Sequence, residues 1–82
     1  MPDPGIDPGR ALTRREREVL AALMEGRSAA WMAEASFVSV ATIRSQINSV
    51  LQKLGVSSQL AATALARRAG WSPAEDEQVT AH

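Results

Sequence analysis

The chain has 82 residues, the size of one domain, and a chain this short can bury only a small core. It has no cysteine and one histidine, at the last position, so the sequence predicts no disulfide, no metal centre, no cofactor and no enzymatic activity. The net charge is zero, but residues 10–71 carry nine basic and four acidic side chains, and the resulting +5 favours an anionic partner.

The two ends of the chain differ in composition from its middle. Residues 1–11 contain three prolines and two Asp-Pro pairs, which favour extended backbone, so we interpret them as a flexible linker. Residues 72–82 contain Pro73 and the acidic run 75–77, and we interpret them as a disordered tail. The domain is therefore expected at residues 12–71. With no long apolar run and no signal pattern, it should be soluble, cytoplasmic and not bound to membranes.

Four helices are predicted between the linker and the tail, and each begins at a capping side chain. Thr13 and Glu16 form a capping box at the start of the first, and Gly26 ends it. Its apolar stripe consists of Val19, Leu20, Leu23 and Met24. Ser28 caps a short second helix, from Ala29 to about Ala35, which leads into a turn at residues 36–38. We expect no sheet, because no segment alternates with a period of two.

The third predicted helix is amphipathic and runs from Val40 to Leu54, between the cap Ser39 and Gly55. At about 100° per residue, its apolar residues fall within one arc of roughly 100°, which predicts the core side. These residues are Val40, Ile43, Ile47, Val50, Leu51 and Leu54. The opposite, outer side carries Ala41, Ser45, Asn48, Ser49 and Gln52, with Arg44 on its border.

The outer side of this helix has the chemistry of a DNA-reading surface. Arg44 can donate to guanine or to phosphate, and Asn48 can pair with adenine. Small residues at 41 and 45 would let the helix enter the major groove, so we assign base contacts to Ala41, Arg44, Ser45 and Asn48. We assign phosphate contacts to Thr42, Lys53, Ser28, Ser39, Ser58 and Gln59. Residues 36–68 include no carboxylate, which favours this interpretation over an ordinary solvated surface.

The fourth predicted helix is rich in alanine and runs from the cap Ser57 or Ser58 to about Ala69, before Gly70. Leu60 and Leu65 are five residues apart, so they cannot both lie at the centre of one face. One should face the core and the other a dimer partner. The predicted dimer surface consists of Leu60, Ala61, Ala64, Leu65 and Arg68.

The two tryptophans have different expected positions. Trp71 is expected to pack at the end of the fourth helix. For Trp31 we expect either partial burial against the first helix or linker, or an exposed anchor for a partner.

Several motifs in order resemble the LuxR/GerE-type helix-turn-helix domain over about residues 12–69. They are the segments 12–20, 26–28, 32–33, 38–39, 42–44 and 53–56, together with Ala62. The resemblance implies an all-α fold of four helices, with the third as recognition helix, at the effector end of a transcription regulator. It also implies binding of double-stranded DNA as a homodimer through the fourth helix, and a possible upstream sensory domain or RNA polymerase contact.

Three positions depart from the family pattern by losing a positive charge: Gln46, Asn48 and Gln59. We therefore expect modest affinity for DNA and reliance on dimerisation. One alternative is a protein-interaction or dimerisation module that kept the fold and binds DNA weakly or not at all. A second is a promoter-recognition module like region 4 of a sigma factor, which the Lys-Leu-Gly-Val turn at 53–56 disfavours. An enzyme is the remote third alternative.

Overall fold

The computed structural model describes residues 8–71, and these residues form five α-helices and no strand. In chain order, α1 spans Pro8–Ala11, α2 Arg14–Met24, α3 Ala29–Ser36, α4 Val40–Leu54 and α5 Gln59–Arg68. The four helices predicted from the sequence correspond to α2–α5, which confirms the all-α class. The predicted recognition helix is α4, with both of its bounds as expected.

Side-chain caps start each of the four long helices. The Thr13 hydroxyl accepts from the backbone N–H of Glu16 at 3.1 Å, and the Glu16 carboxylate accepts from the N–H of Thr13 at 2.9 Å. Ser28, Ser39 and Ser58 each accept one N–H from the first turn of the helix that follows. Because these bonds satisfy N–H groups that have no partner within the helix, local chemistry sets where the helices begin.

Helix α1 corrects the predicted linker, because residues 8–11 form one helical turn instead of extended chain. Pro8 occupies the first helical position, which proline tolerates since it has no N–H to lose, and it is buried. The Arg17 guanidinium holds the turn by donating to the carbonyls of Gly9 at 3.3 Å and Leu12 at 3.0 Å. Residues 1–7 of the predicted linker and residues 72–82 of the predicted tail lie outside the described residues.

The core lies around α4, against which both α2 and α3 pack. Ile43, Ile47, Val50 and Leu54 of α4 are buried, as the apolar arc predicted. Val40 and Leu51 are partly buried at its edges. Trp71 is partly buried against the core, and its backbone N–H donates to the carbonyl of Ala66 at 3.0 Å, so its predicted packing is confirmed.

The turn between α3 and α4 depends on a residue in the left-handed region. Phe37, at φ 59° and ψ 42°, is the only non-glycine residue of positive φ in the described part of the chain, and its side chain is 94% exposed. The left-handed conformation reverses the chain in one residue, so α4 can begin at Val40. Gly55 ends α4 in the same conformation at φ 73°, where glycine has no steric cost.

Candidate nucleic-acid interface

The structure brings the four predicted base-contact residues together on the outer face of α4. All four are exposed: Ala41, Arg44, Ser45 and Asn48. Ile43 and Ile47, between them in the sequence, are buried, so packing against α2 and α3 fixes the rotation of the helix about its axis. We call the four exposed residues the reading face. That they contact bases remains a prediction.

A pair of hydroxyl groups lies at the first turn of α4, next to the reading face. The Ser39 Oγ accepts the backbone N–H of Thr42 at 3.1 Å and lies 3.0 Å from the Thr42 Oγ1. In that pair one hydroxyl donates to the other, so one O–H remains available to a further acceptor. Both residues are exposed at the positive end of the helix dipole, which suits a phosphate oxygen.

A nearly buried carboxylate, Glu16 of α2, fastens the other end of α4. The Ser49 hydroxyl donates to its Oε2 at 2.6 Å and the Lys53 ammonium donates to its Oε1 at 2.8 Å. Burial raises the pKa of Glu16, but the hydrogen bonds from Lys53, Ser49 and the Thr13 N–H, with the Lys53 charge, outweigh it and lower the pKa from 4.5 to about 2. The carboxylate is therefore ionised at neutral pH and joins α2 to α4.

This network changes the roles expected for two residues of α4. Ser49 is not on the outer side of the helix, where the helical wheel placed it, but donates to Glu16 across the interface with α2. Lys53, which the sequence assigned to phosphate, has an ion-pair partner within the domain and a side chain that is 41% exposed. A phosphate contact by Lys53 thus remains untested, and its observed contact is structural.

The remaining predicted phosphate contacts lie at starts of helices. Ser28 and Ser58 are exposed, and their hydroxyls accept N–H groups at 3.0 Å and 3.1 Å, so their own O–H groups can still donate. Gln59 follows Ser58 and is exposed at the first position of α5. The geometry leaves all three able to donate to a phosphate, which remains a prediction.

Most of the cations on α2 and beside α3 are occupied within the domain, in contrast to Arg44. Arg14 and Arg15 pair with Glu18, and Arg27 pairs with Glu25. Arg44 forms no ion pair with any residue between 8 and 71, and its helix includes no other cation except the paired Lys53. The charge available on α4 is therefore concentrated in one guanidinium.

Trp31 agrees in part with both expectations for it. Its side chain is 45% exposed, and the Arg27 guanidinium stacks over the ring, 4.5 Å from the centroid. Trp31 also helps to line a shallow groove between α2 and α3. The groove is lined by Arg15, Glu18, Val19, Ala22, Trp31, Met32 and Ser36. It includes no residue of α4, so it leaves the reading face free.

Helix α5 separates the two leucines as the sequence predicted. Leu60 is 77% exposed, whereas Leu65 is partly buried and packs against the core. Ala61 and Ala64 are partly buried and Arg68 is exposed. The predicted dimer surface thus retains Leu60 as its apolar centre, and Leu65 contributes mainly to the fold.

Neither a metal site nor a membrane span is found in the part of the chain that the structure describes. Between residues 8 and 71, no three His, Cys, Asp or Glu side chains lie close enough to hold a metal ion. None of the helices described is long and apolar enough to cross a membrane.

Comparison with known families gives a match over most of the described helices. Residues 10–66 match the model described as bacterial regulatory proteins, luxR family. This stretch extends from α1 into the last turn of α5, so it includes the helix pair α3 and α4.

Three similar proteins come from two bacilli. The transcriptional regulatory protein LiaR of Bacillus subtilis is 34% identical over 61 residues, 74% of this chain and 29% of LiaR. DegU of Brevibacillus brevis, also a transcriptional regulatory protein, is 34% identical over 64 residues, 78% of this chain and 27% of DegU. The spore germination protein GerE of Bacillus subtilis is 42% identical over 45 residues, 55% of this chain and 61% of GerE. The chain thus spans under a third of the first two relatives.

Proposed function

The chain belongs to the luxR family of bacterial regulatory proteins and is a DNA-binding domain of a transcription regulator. We propose that it binds double-stranded DNA by placing α4 in the major groove. The observation that carries the proposal is the reading face, where Arg44 and Asn48 are exposed together on a helix whose rotation the core fixes. Their side chains have the hydrogen-bonding groups that recognise guanine and adenine. The domain acts by binding, without a cofactor and without catalysis.

Phosphate contacts around the groove fix the register of α4. The hydroxyl pair Ser39 and Thr42, and the caps Ser28 and Ser58 with Gln59, supply neutral donors at helix starts. Phosphate contacts from neutral donors make the affinity for DNA less dependent on salt than contacts from cations do. The cation Lys53 is already paired with Glu16. The affinity of a single domain is therefore modest, and two domains bound together are needed for stable binding.

Binding to duplex DNA should weaken as salt increases. Each phosphate neutralised by a cation contributes about −0.9 to the slope of log K against log salt. One such contact by Lys53 in each copy of a dimer predicts a loss of roughly tenfold between 50 and 200 mM. Fluorescence anisotropy with a labelled duplex and the intact chain measures the slope. No binding at low salt would favour the alternative function, a protein-interaction module that kept this fold.

The partner in dimerisation is a second copy that docks through α5. Leu60 is the exposed apolar side chain of this helix, and Ala61 and Ala64 beside it allow close approach. Replacing Leu60 by glutamate places a charge at the centre of that surface while favouring the helix start, so the fold should persist. Sedimentation at low concentration should show a dimer for the unmodified chain and mostly monomer for Leu60→Glu. An unchanged mass would contradict dimerisation through α5.

The setting of the domain is also a proposal. The relatives LiaR and DegU are more than three times as long as the matched stretch. We infer that a domain of this kind acts in the cytoplasm, joined to an upstream sensory domain or in contact with RNA polymerase.

A further inference from the structure

The large exposed apolar side chains of the described residues are concentrated on α3 and in the turn after it, outside the reading face and the α5 surface. Of the four large ones, Trp31, Phe37 and Val38 lie there, and only Leu60 lies elsewhere. Exposing a tryptophan to water is unfavourable because its side chain has a large apolar surface. Tryptophans are also enriched at the centres of protein interfaces. Trp31 has no role in the reading face, so its exposure needs a separate explanation.

Two charged residues of opposite sign flank Trp31, one just before α3 and one within it. Arg27 lies four residues before Trp31 and is stacked on its ring, and Glu34 lies three residues after it. Both are exposed, and Glu34 forms no ion pair with another described residue. Ala35, one turn beyond Trp31, is exposed too and small enough to allow close approach. We call Arg27, Trp31, Glu34 and Ala35 the α3 stripe.

We propose that the α3 stripe is a second self-association surface, on which two copies pack with antiparallel α3 helices about a two-fold axis at Trp31. Such an interface needs one patch that is complementary to itself. An antiparallel arrangement brings Arg27 of each copy against Glu34 of the other, because the two residues flank Trp31, Arg27 four positions before it and Glu34 three positions after it. The two indoles meet at the centre.

The charge balance around the stripe selects a second copy over a strongly charged partner. Arg14 and Arg15 pair with Glu18, Arg27 pairs with Glu25, and Glu34 is exposed at the other end of the stripe, so the charges near Trp31 are nearly balanced. A patch of balanced charge gives no net attraction to a strongly acidic or a strongly basic partner, whereas a copy rotated by 180° brings Arg27 against Glu34 at both ends of the stripe. Since α4 does not line the neighbouring groove, the reading face remains available. The stripe can thus link dimers that occupy adjacent sites on DNA.

The test uses the full chain with Leu60→Glu, which removes the α5 contact and leaves the α3 stripe as the remaining surface. Sedimentation equilibrium over a wide range of concentration, without DNA, should show a monomer–dimer equilibrium. Trp31→Ala should weaken the dimer at least tenfold, as expected for a central aromatic side chain. Circular dichroism checks that the variants keep their helices, and Gln52→Ala, exposed on α4, is the control.

Charge reversal distinguishes a self-complementary interface from other modes of association. Arg27→Glu alone and Glu34→Arg alone should each be monomeric, because like charges then meet. An equal mixture of the two should form a heterodimer, because both contacts again join opposite charges. A mixture that stays monomeric, or single variants that associate like their parent, would overturn the proposal. The measurement needs no DNA, so its failure leaves the DNA-binding proposal intact.

Discussion

Replacing Glu16 by glutamine is expected to lower the free energy of unfolding at pH 7 by about 3 kcal/mol. The folded protein holds the pKa of Glu16 at about 2 against an ordinary 4.5, and each pKa unit corresponds to about 1.4 kcal/mol. The side chain is only 11% exposed, so solvent screens its contacts with Lys53 and Ser49 little. For a domain of this size the loss corresponds to a decrease of more than about 10 °C in Tm.

The contribution of Glu16 to stability can also be measured from the pH dependence of unfolding. Because the folded-state pKa lies below the ordinary value, the stabilisation is complete above about pH 5 and is lost as the pH falls from 4.5 toward 2. Urea unfolding of the unmodified chain at several pH values should show this loss. Glu16→Gln should remove most of it, since glutamine does not titrate.

Glu18→Gln is the matched control for this experiment, because the two glutamates lie on the same helix, two residues apart. Glu18 pairs with Arg14 at 3.8 Å and Arg15 at 3.1 Å, but its side chain is 54% exposed. Ion pairs of that kind contribute less than about 1 kcal/mol. Equal losses of stability in both variants would show that Glu16 does not have the special role assigned to it.

The features predicted from the sequence are those that local chemistry determines. Thr13 with Glu16, Ser28 and Ser39 were identified as caps because a cap bonds to residues within one turn of itself. Gly55 was identified as the end of α4 because glycine adopts positive φ without strain. The apolar arc of α4 was predicted from periodicity, and its four central residues are buried.

The features that were not predicted depend on contacts far apart in the sequence. Glu16 was identified as a capping residue, but its bonds to Ser49 and Lys53 join residues 33 and 37 positions away. A helical wheel shows in which direction Ser49 points from the helix axis, but it does not show which residue of another helix lies there. The sequence did contain one signal of this network: Glu16 lies one helical turn from the core residues Val19 and Leu20, in a domain rich in cations. Helix α1 was missed because Pro8 favours extended chain as well as a helix start.

Arg44→Ala is expected to weaken binding to the preferred DNA site by about 5- to 150-fold, the effect of losing one paired base contact of 1–3 kcal/mol. Arg44 is the single cation on α4 without an ion pair among residues 8–71, so no neighbouring charge can replace it. The variant should also lose its preference at one base pair, whereas loss of a phosphate contact would weaken all sequences equally. Selection of binding sites from a random duplex pool separates the two effects.

Asn48→Ala should relax the preference at a second base pair close to the first. Asn48 lies one turn after Arg44 on the reading face, about 6 Å further along the helix. Base pairs are 3.4 Å apart along the duplex, so the guanine read by Arg44 and the adenine read by Asn48 should be no more than about two steps apart. The selected half-site should contain both bases at that spacing, and each variant should lose one of them.

Arg14→Ala is the matched control for the reading face, because it removes the same charge from an exposed side chain on α2. Its effect should be limited to a small, uniform loss of affinity that disappears at higher salt, since a distant cation acts only through the general field of the domain. If Arg44→Ala behaved like Arg14→Ala and kept its base preference, Arg44 would be a phosphate contact. Specificity would then have to come from Asn48 and Ser45, whose neutral side chains are the remaining hydrogen-bonding groups on the reading face.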